Sequence, residues 1–145
     1  VRKEYLALVW GTLTPPSGRV ETLIGRSAHN RKKMSASPSS GRPAITLYET
    51  VETFESASLL RVRIETGRTH QIRVHMAWLG HPVIGDAAYG RQRACRLDAP
   101  LPGRQMLHAE RLALAHPRSG QSLTFMAPLP DDMRTLLKTL RKHTP

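Results

Sequence analysis

The feature that most constrains the fold of this sequence is a change of hydrophobic spacing at Gly67. Before this glycine, residues 60–65 of a predicted strand at 57–66 alternate apolar and charged side chains, which is the period of two of a strand with one buried face. After it, apolar side chains fall at i, i+4 and i+7 until Gly80-His81-Pro82. This spacing predicts a helix of about three turns with Thr69 as its N-cap. The chain therefore combines strands and helices.

The same criteria predict the other elements. Further strands are expected at 4–11, 19–24, 44–54, 107–114 and 122–127, and a second helix from about Pro130. The turn Pro15-Pro16-Ser17-Gly18 predicts that the first two strands form a hairpin, and 44–54 should pair with 57–66. A chain of 145 residues suits one domain. The prediction is one α+β domain over residues 1–145, with a mixed, largely antiparallel sheet and packed helices.

The net charge indicates a polyanionic partner. Lysine and arginine number 22 against 11 acids, and 17 of the cations are arginine, which binds phosphate bidentately. No acid occurs between Glu21 and Glu49, where cations accumulate among Ser, Pro and Gly: Arg26, Arg31, Lys32, Lys33 and Arg42. We predict a mobile basic loop there that contacts RNA phosphates. A solvated linker, and a basic surface that serves only solubility, are the alternatives.

Several function classes lack support in the sequence. No apolar run is long enough to cross a bilayer and no leader pattern opens the chain. The single cysteine, Cys95, excludes a disulfide framework, so we expect a cytoplasmic protein. His70 and His75 are five residues apart, which does not put both on one helical face, so no metal site is predicted. Asp86 is expected to close a turn.

Arg68 is the strongest candidate for a site residue. It is predicted to stand at the start of a helix, where backbone N–H groups have no intrahelical partner. A carboxylate or phosphate held there by the guanidinium would form a charge-assisted bidentate pair. The alternative is that Arg68 and His70 only cap and pack the turn.

Several motifs in register carry a family resemblance. They are residues 3–11, Ile24-Gly25-Arg26, residues 67–75, Gly80-His81-Pro82, Gly85-Asp86, Tyr89-Gly90, residues 105–109 and His116-Pro117. In this order and spacing they resemble the C-terminal half of the catalytic domain of RluA-type ribosomal large subunit pseudouridine synthases. The resemblance implies isomerisation of a uridine in RNA, most simply ribosomal RNA, by a monomeric enzyme with no metal and no organic cofactor.

The resemblance also implies roles for three residues. Tyr5 matches the active-site tyrosine that lies against the target base and is implicated in proton removal at carbon 5. Arg68 matches the arginine that pairs with the catalytic aspartate, and Leu107 matches an apolar contact beneath the base. Their structural alternatives are a buried strand tyrosine, a capping arginine and a core leucine. The predicted site consists of Tyr5, Arg68 and Leu107 together with four phosphate contacts: Arg26, Arg31, Lys32 and Lys33.

One element of the family pattern is missing. The catalytic aspartate belongs to an Arg-Leu-Asp-x-x-Thr-Ser-Gly segment that precedes the Lys-x-Tyr motif, and the 145 residues do not contain it. The tripeptide Arg96-Leu97-Asp98 is followed by Ala-Pro and comes after the Arg68 block, so Asp98 is expected to be a surface acid. We therefore expect the chain alone to be inactive. A non-catalytic RNA-binding module is the alternative function.

Overall fold

The computed structural model describes residues 1–30, 32–36, 41–90 and 102–144. These residues form seven strands and two helices, which confirms the α+β class. The strands are β1 (Arg2–Trp10), β2 (Ser17–Arg26), β3 (Met34–Ser35), β4 (Arg42–Thr53), β5 (Ala57–Ile64), β6 (Leu107–Ala115) and β7 (Ser122–Met126), and the helices are α1 (Gln71–Trp78) and α2 (Asp131–Lys142).

The strands form a single sheet in the order β3-β2-β4-β5-β1-β6-β7. Every pair of neighbouring strands in this sheet is antiparallel. β4 and β5 pair as predicted, but the predicted hairpin of β1 with β2 is wrong, because β1 lies between β5 and β6. Residues 6–10 of β1 are all buried, so this strand needs cover on both faces and takes a central position.

Helix α1 is shorter than predicted and starts differently. It has eight residues, and Thr69 is not its N-cap. His70 occupies that position in the left-handed conformation (φ 55°) with no side-chain cap. The carboxamide oxygen of Gln71 instead accepts hydrogen bonds from the Arg68 backbone N–H (3.0 Å) and the Thr66 hydroxyl (2.8 Å). A buried side chain has therefore replaced the local cap that the sequence predicts.

His75 fixes α1 over the sheet. Its side chain is fully buried, with Nδ1 2.7 Å from the Thr46 hydroxyl on β4 and Nε2 2.8 Å from the Thr22 hydroxyl on β2. Burial lowers the pKa of His75 to about 4, so the imidazole is neutral at pH 7. The helix is thus held above β2 and β4 by hydrogen bonds as well as by packing.

Helix α2 matches its prediction. Its apolar stripe is buried in the main core, and consists of Met133, Leu136, Leu137 and Leu140. Asp131 and Asp132 lie in its first turn and Arg141 and Lys142 in its last, where they complement the helix dipole. Neither helix of the described residues has the length and apolar character needed to span a membrane.

Candidate active site

The register of three central strands places the apolar candidate residues on one face of the sheet. Tyr5 in β1 is opposite Val62 in β5 and Ala109 in β6, and Ala7 is opposite Leu107. Directly paired residues share a face in an antiparallel sheet, and so do residues two apart on one strand. Tyr5 and Leu107 are therefore diagonal neighbours on the same face, although the sequence separates them by a hundred positions.

A cavity of about 340 Å³ lies above this face, beside the start of α1. It is lined by Tyr5, Ile64, Arg68, His70, Gln71, Ile72, Arg73, Gln105 and Leu107. The three residues implied by the family resemblance therefore line one cavity. Its lining is apolar on the sheet and polar along the start of α1, which suits a ligand with a flat apolar part and a polar or anionic part.

Arg68 is half-buried and oriented by its neighbours. Its Nε donates to the Pro43 carbonyl oxygen at 2.8 Å, and its backbone N–H donates to Gln71. The terminal guanidinium nitrogens have no hydrogen-bond partner within the described residues. The anion expected here would therefore be held by the guanidinium, since the Arg68 backbone N–H is already engaged.

Gln71 is the residue of this site that sequence reasoning missed. It is 3% exposed, and its amide donates to the Ile45 carbonyl (2.9 Å) and the Thr46 hydroxyl (3.0 Å), while its oxygen accepts from Arg68 and Thr66. Two of these bonds connect the start of α1 to β4, and the other two bind it to the segment between β5 and α1. The sequence signal was a polar residue at the first position of an apolar helix face, which by itself indicates nothing about its partners.

Asp86 closes a turn and pairs with Arg73. Its carboxylate accepts the backbone N–H groups of Ala88 and Tyr89 (3.1 Å each) and a bidentate pair from Arg73 at 2.8 Å, which confirms the turn role. Burial alone raises the pKa of Asp86, but Arg73 and the two N–H groups together hold that pKa below its ordinary value. Arg73 also lies over the Tyr89 ring, 5.0 Å from its centre.

The predicted basic loop is in part regular structure. Arg26 ends β2 and pairs with Met34 of β3, so the chain reverses between these two strands; we call residues 26–33, of which the structure describes all but residue 31, the basic turn. The turn is closed by the Ser27 N–H, which donates to the Lys33 carbonyl at 2.9 Å. Lys32 is exposed and Lys33 is half-buried. Arg31, Cys95 and Asp98 lie outside the described residues.

The basic turn does not line the cavity but is connected to its edge. The Met34 backbone N–H donates to the Tyr89 hydroxyl at 2.9 Å, and that hydroxyl lies 2.8 Å from Nδ1 of His70, a cavity residue.

A second cavity of about 300 Å³ is also lined by Tyr5, but its lining includes neither Arg68 nor Leu107. No group of three or more potential metal ligands occurs within the described ranges.

Comparison with known proteins identifies the family. The family model for RNA pseudouridylate synthase matches residues 1–78, more than half of the chain. The chain is 48% identical to an uncharacterized RNA pseudouridine synthase of Chloroflexus aurantiacus, and the match covers 97% of this chain and 43% of the relative. It is 44% identical to the ribosomal large subunit pseudouridine synthase D of Neisseria meningitidis, covering 97% and 39%.

A solved structure agrees with this result. The human RNA pseudouridylate synthase domain containing 1 superposes with a TM-score of 0.73 at 29% identity, covering 99% of this chain and 67% of the other. The chain therefore belongs to the RNA pseudouridylate synthase family. It spans less than half the length of the two bacterial relatives named above.

Proposed function

We propose that this chain forms the base-binding half of the active site of an enzyme that isomerises uridine to pseudouridine in large-subunit ribosomal RNA. The observation that supports this proposal most is the cavity that brings Tyr5, Arg68 and Leu107 together. The two relatives described above, which match 97% of the chain, are named as pseudouridine synthases, and the name of one of them specifies the ribosomal large subunit.

In the proposed reaction the target uridine leaves its stack and its base enters the cavity between Tyr5 and Leu107. Unstacking costs a few kcal/mol, which contacts with an aromatic ring and an apolar floor offset. The bond from the ribose to N1 breaks, the uracil rotates, a new bond forms from the ribose to carbon 5, and the proton on carbon 5 moves to N1. Tyr5, which lines the cavity, would assist that proton transfer.

Arg68 would hold the nucleophilic carboxylate. No Asp or Glu lines the cavity within the described residues, so the carboxylate would come from the aspartate-bearing segment that the family resemblance implies. A guanidinium that uses Nε for the Pro43 carbonyl retains terminal nitrogens for a bidentate pair. The pair would keep the aspartate ionised and aimed at the ribose.

The basic turn would guide the RNA to the cavity. Arg26, Arg31, Lys32 and Lys33 remain our proposed phosphate contacts, since a cluster of cations attracts RNA through counterion release. Catalysis without metal or cofactor, a monomeric state and a cytoplasmic location also remain predictions.

The first prediction tests Arg68 in a chimera. This chain would replace the corresponding segment of the Neisseria meningitidis enzyme, which supplies the remainder of the relative's length. We expect Arg68→Ala to lower the rate of pseudouridine formation by a factor of a hundred or more, because leaving one partner of a partly buried ion pair alone costs on the order of 3 kcal/mol. Arg63→Ala, an exposed arginine on β5, should leave the rate unchanged.

The rate would be measured as tritium release from RNA carrying 5-tritiated uridine, with folding checked by circular dichroism. A folded Arg68→Ala chimera with a near-normal rate would contradict the proposed role. An unsubstituted chimera that folds and binds RNA but releases no tritium would instead favour the non-catalytic RNA-binding module.

A further inference from the structure

The Tyr89 hydroxyl determines the hydrogen-bonding state of His70. It accepts the Met34 backbone N–H at 2.9 Å and lies 2.8 Å from His70 Nδ1. A phenol has one proton to donate, and within the described residues His70 Nδ1 is its only acceptor. This arrangement favours a hydroxyl that donates to Nδ1, with no proton on Nδ1.

The neutral imidazole must then carry its proton on Nε2. In the opposite tautomer both N–H groups would be directed at one phenol oxygen, and the hydroxyl proton would have to turn away from His70. Burial lowers the pKa of His70, and the nearby Arg73 charge lowers it further, so the neutral form prevails at pH 7. An edge-to-face contact with Tyr89, with ring centres 5.5 Å apart, holds the ring in place.

The backbone supports the same orientation. His70 adopts φ 55° and ψ 24°, a left-handed conformation that is unfavourable for a residue with a Cβ. That conformation places the exposed ring at the edge of the cavity, above Tyr89 rather than along α1. Within the described residues, Nε2 has no hydrogen-bond partner. The result is an oriented donor at the cavity edge.

We propose that His70 is an RNA-contacting residue whose Nε2–H donates to a phosphate oxygen of the nucleotide that enters the cavity. This inference rests on the proposed function and extends it. The apolar part of the cavity, formed by Tyr5, Ile64 and Leu107, suits the base, so the exposed edge faces the sugar-phosphate chain. The neighbouring Arg68 adds positive charge there, while the Asp86 carboxylate is already paired with Arg73.

Nuclear magnetic resonance on the chain itself tests the tautomer. Long-range imidazole ¹H–¹⁵N spectra at pH 7.5 should show a protonated Nε2 and an unprotonated Nδ1 for His70. Tyr89→Phe removes the hydroxyl and should shift His70 toward a mixture of tautomers. A protonated Nδ1 in the unsubstituted chain would overturn the proposal, whatever the chain does with RNA.

A matched set of variants tests the contact with RNA. In His70→Gln the side-chain amide reaches the position of Nε2 and keeps a donor there, whereas His70→Asn places its amide near Nδ1 and His70→Ala has none. Since a hydrogen bond to a charged group is lost, we expect His70→Asn and His70→Ala to bind a short uridine-containing single-stranded RNA about tenfold more weakly. His70→Gln should stay within about threefold.

Small probes distinguish phosphate from base. The Nε2–H resonance of His70 should move when uridine 3′-monophosphate is added and stay in place with uridine alone. Equal movement with uridine would assign the contact to a base carbonyl and overturn the proposal. Equal RNA affinity of all three variants and the unsubstituted chain would refute only the His70 contact. If the unsubstituted chain binds no RNA at low salt, both this inference and the RNA-binding part of the proposed function fail.

Discussion

Buried polar side chains form a continuous path from the sheet to Arg68. Thr22 and Thr46 contact the two nitrogens of His75, Thr46 also accepts from Gln71, and Gln71 accepts the Arg68 N–H. Within the described residues, no buried side-chain nitrogen or oxygen lacks a hydrogen-bond partner. A fully satisfied network of this kind fixes one geometry, because any other arrangement leaves a buried group unpaired.

The second prediction concerns Gln71, which we regard as a residue that positions Arg68. Gln71→Leu keeps the approximate volume but leaves the Thr46 hydroxyl and the Ile45 carbonyl short of a donor, which should cost about 1–3 kcal/mol of unfolding free energy. In the chimera, kcat should fall with little change in RNA affinity. Urea unfolding and steady-state kinetics measure the two effects.

Gln71→Glu is the comparison variant: it keeps an acceptor for Arg68 but replaces the amide donors with a buried carboxylate oxygen that faces the Ile45 carbonyl. It should retain more of kcat per folded molecule than Gln71→Leu, although burial of the charge makes it less stable. A Gln71→Leu chimera whose loss of activity merely follows its loss of folded protein would show that the residue is only structural.

The third prediction is a pH dependence of stability that originates at His75. Its pKa is about 4 in the folded chain and 6.5 when unfolded, so the unfolded state binds more protons between these values. The contribution of neutral His75 to the free energy of unfolding is complete above about pH 6.5 and is lost as the pH falls toward 4. At pH 5 the loss amounts to about 2 kcal/mol relative to pH 7.5.

Urea unfolding at pH 7.5 and pH 5.0 measures this loss. His75→Gln should be less stable at pH 7.5 but should lose about 2 kcal/mol less than the unsubstituted chain on acidification. His29→Gln, at an exposed histidine, provides the control and should leave the pH dependence unchanged. Parallel pH profiles for His75→Gln and the unsubstituted chain would contradict the assignment.

At the scale of elements, periodicity predicted where strands and helices occur but not which strands pair. The alternation along 60–65 and the stripe in α2 are local properties, and both elements are present. The pairing of β1 with β5 and β6 depends on contacts between residues 47 or more positions apart. A turn signal at residues 15–18 indicates that the chain reverses there, but it does not identify the neighbour of the next strand.

The start of α1 was missed for a similar reason. Thr69 has the side chain of a good cap, but the sheet supplies partners for Gln71 from 25 or more residues away. Those bonds, with the left-handed His70, define the helix start. The family resemblance indicated Tyr5, Arg68 and Leu107. The roles of Gln71 and His70 became visible only from the contacts that these residues make with β4 and with Tyr89.

The fourth prediction concerns the basic turn as an RNA contact. Each phosphate neutralised on a single strand contributes about 0.7 to the slope of log affinity against log salt. Replacing Arg31, Lys32 and Lys33 together by Ala should therefore reduce that slope by about 2 if all three contact phosphate. The melting temperature should barely change, since Lys32 is exposed, Lys33 is half-buried, and neither belongs to the main hydrophobic core.

Filter-binding titrations over a salt series compare the triple variant with the unsubstituted chain. Replacing Arg118 and Lys138, which are exposed on the β6–β7 turn and on α2, tests whether any loss of positive charge has the same effect. An unchanged slope in the triple variant, or an equal reduction per charge in the control variant, would argue against a specific role for the basic turn.

At the scale of the whole molecule, the proposed function makes the cavity one half of a catalytic centre. Its lining includes the cations Arg68 and Arg73 but no carboxylate within the described residues, and Arg73 is neutralised by Asp86. The proposed reaction uses a nucleophilic carboxylate near the ribose. On this proposal two functions are separate: the described residues would hold the base and orient an anion, and the aspartate-bearing segment that the family resemblance implies would supply that anion.

The last prediction follows from this separation. The 145-residue chain alone should bind uridine-containing RNA yet form no pseudouridine, because Arg68 has no carboxylate to orient in the described cavity. Adding in trans the N-terminal part of the Neisseria meningitidis enzyme, where the family resemblance implies the catalytic aspartate, should restore tritium release, and the Asp→Asn variant of that part should not. Turnover by the chain alone would show that one of its own acids is the nucleophile. The covalent chimera described above is the companion test, since it does not depend on association of two separate parts. An inactive chimera whose Arg68 is intact would refute the proposed division of the site.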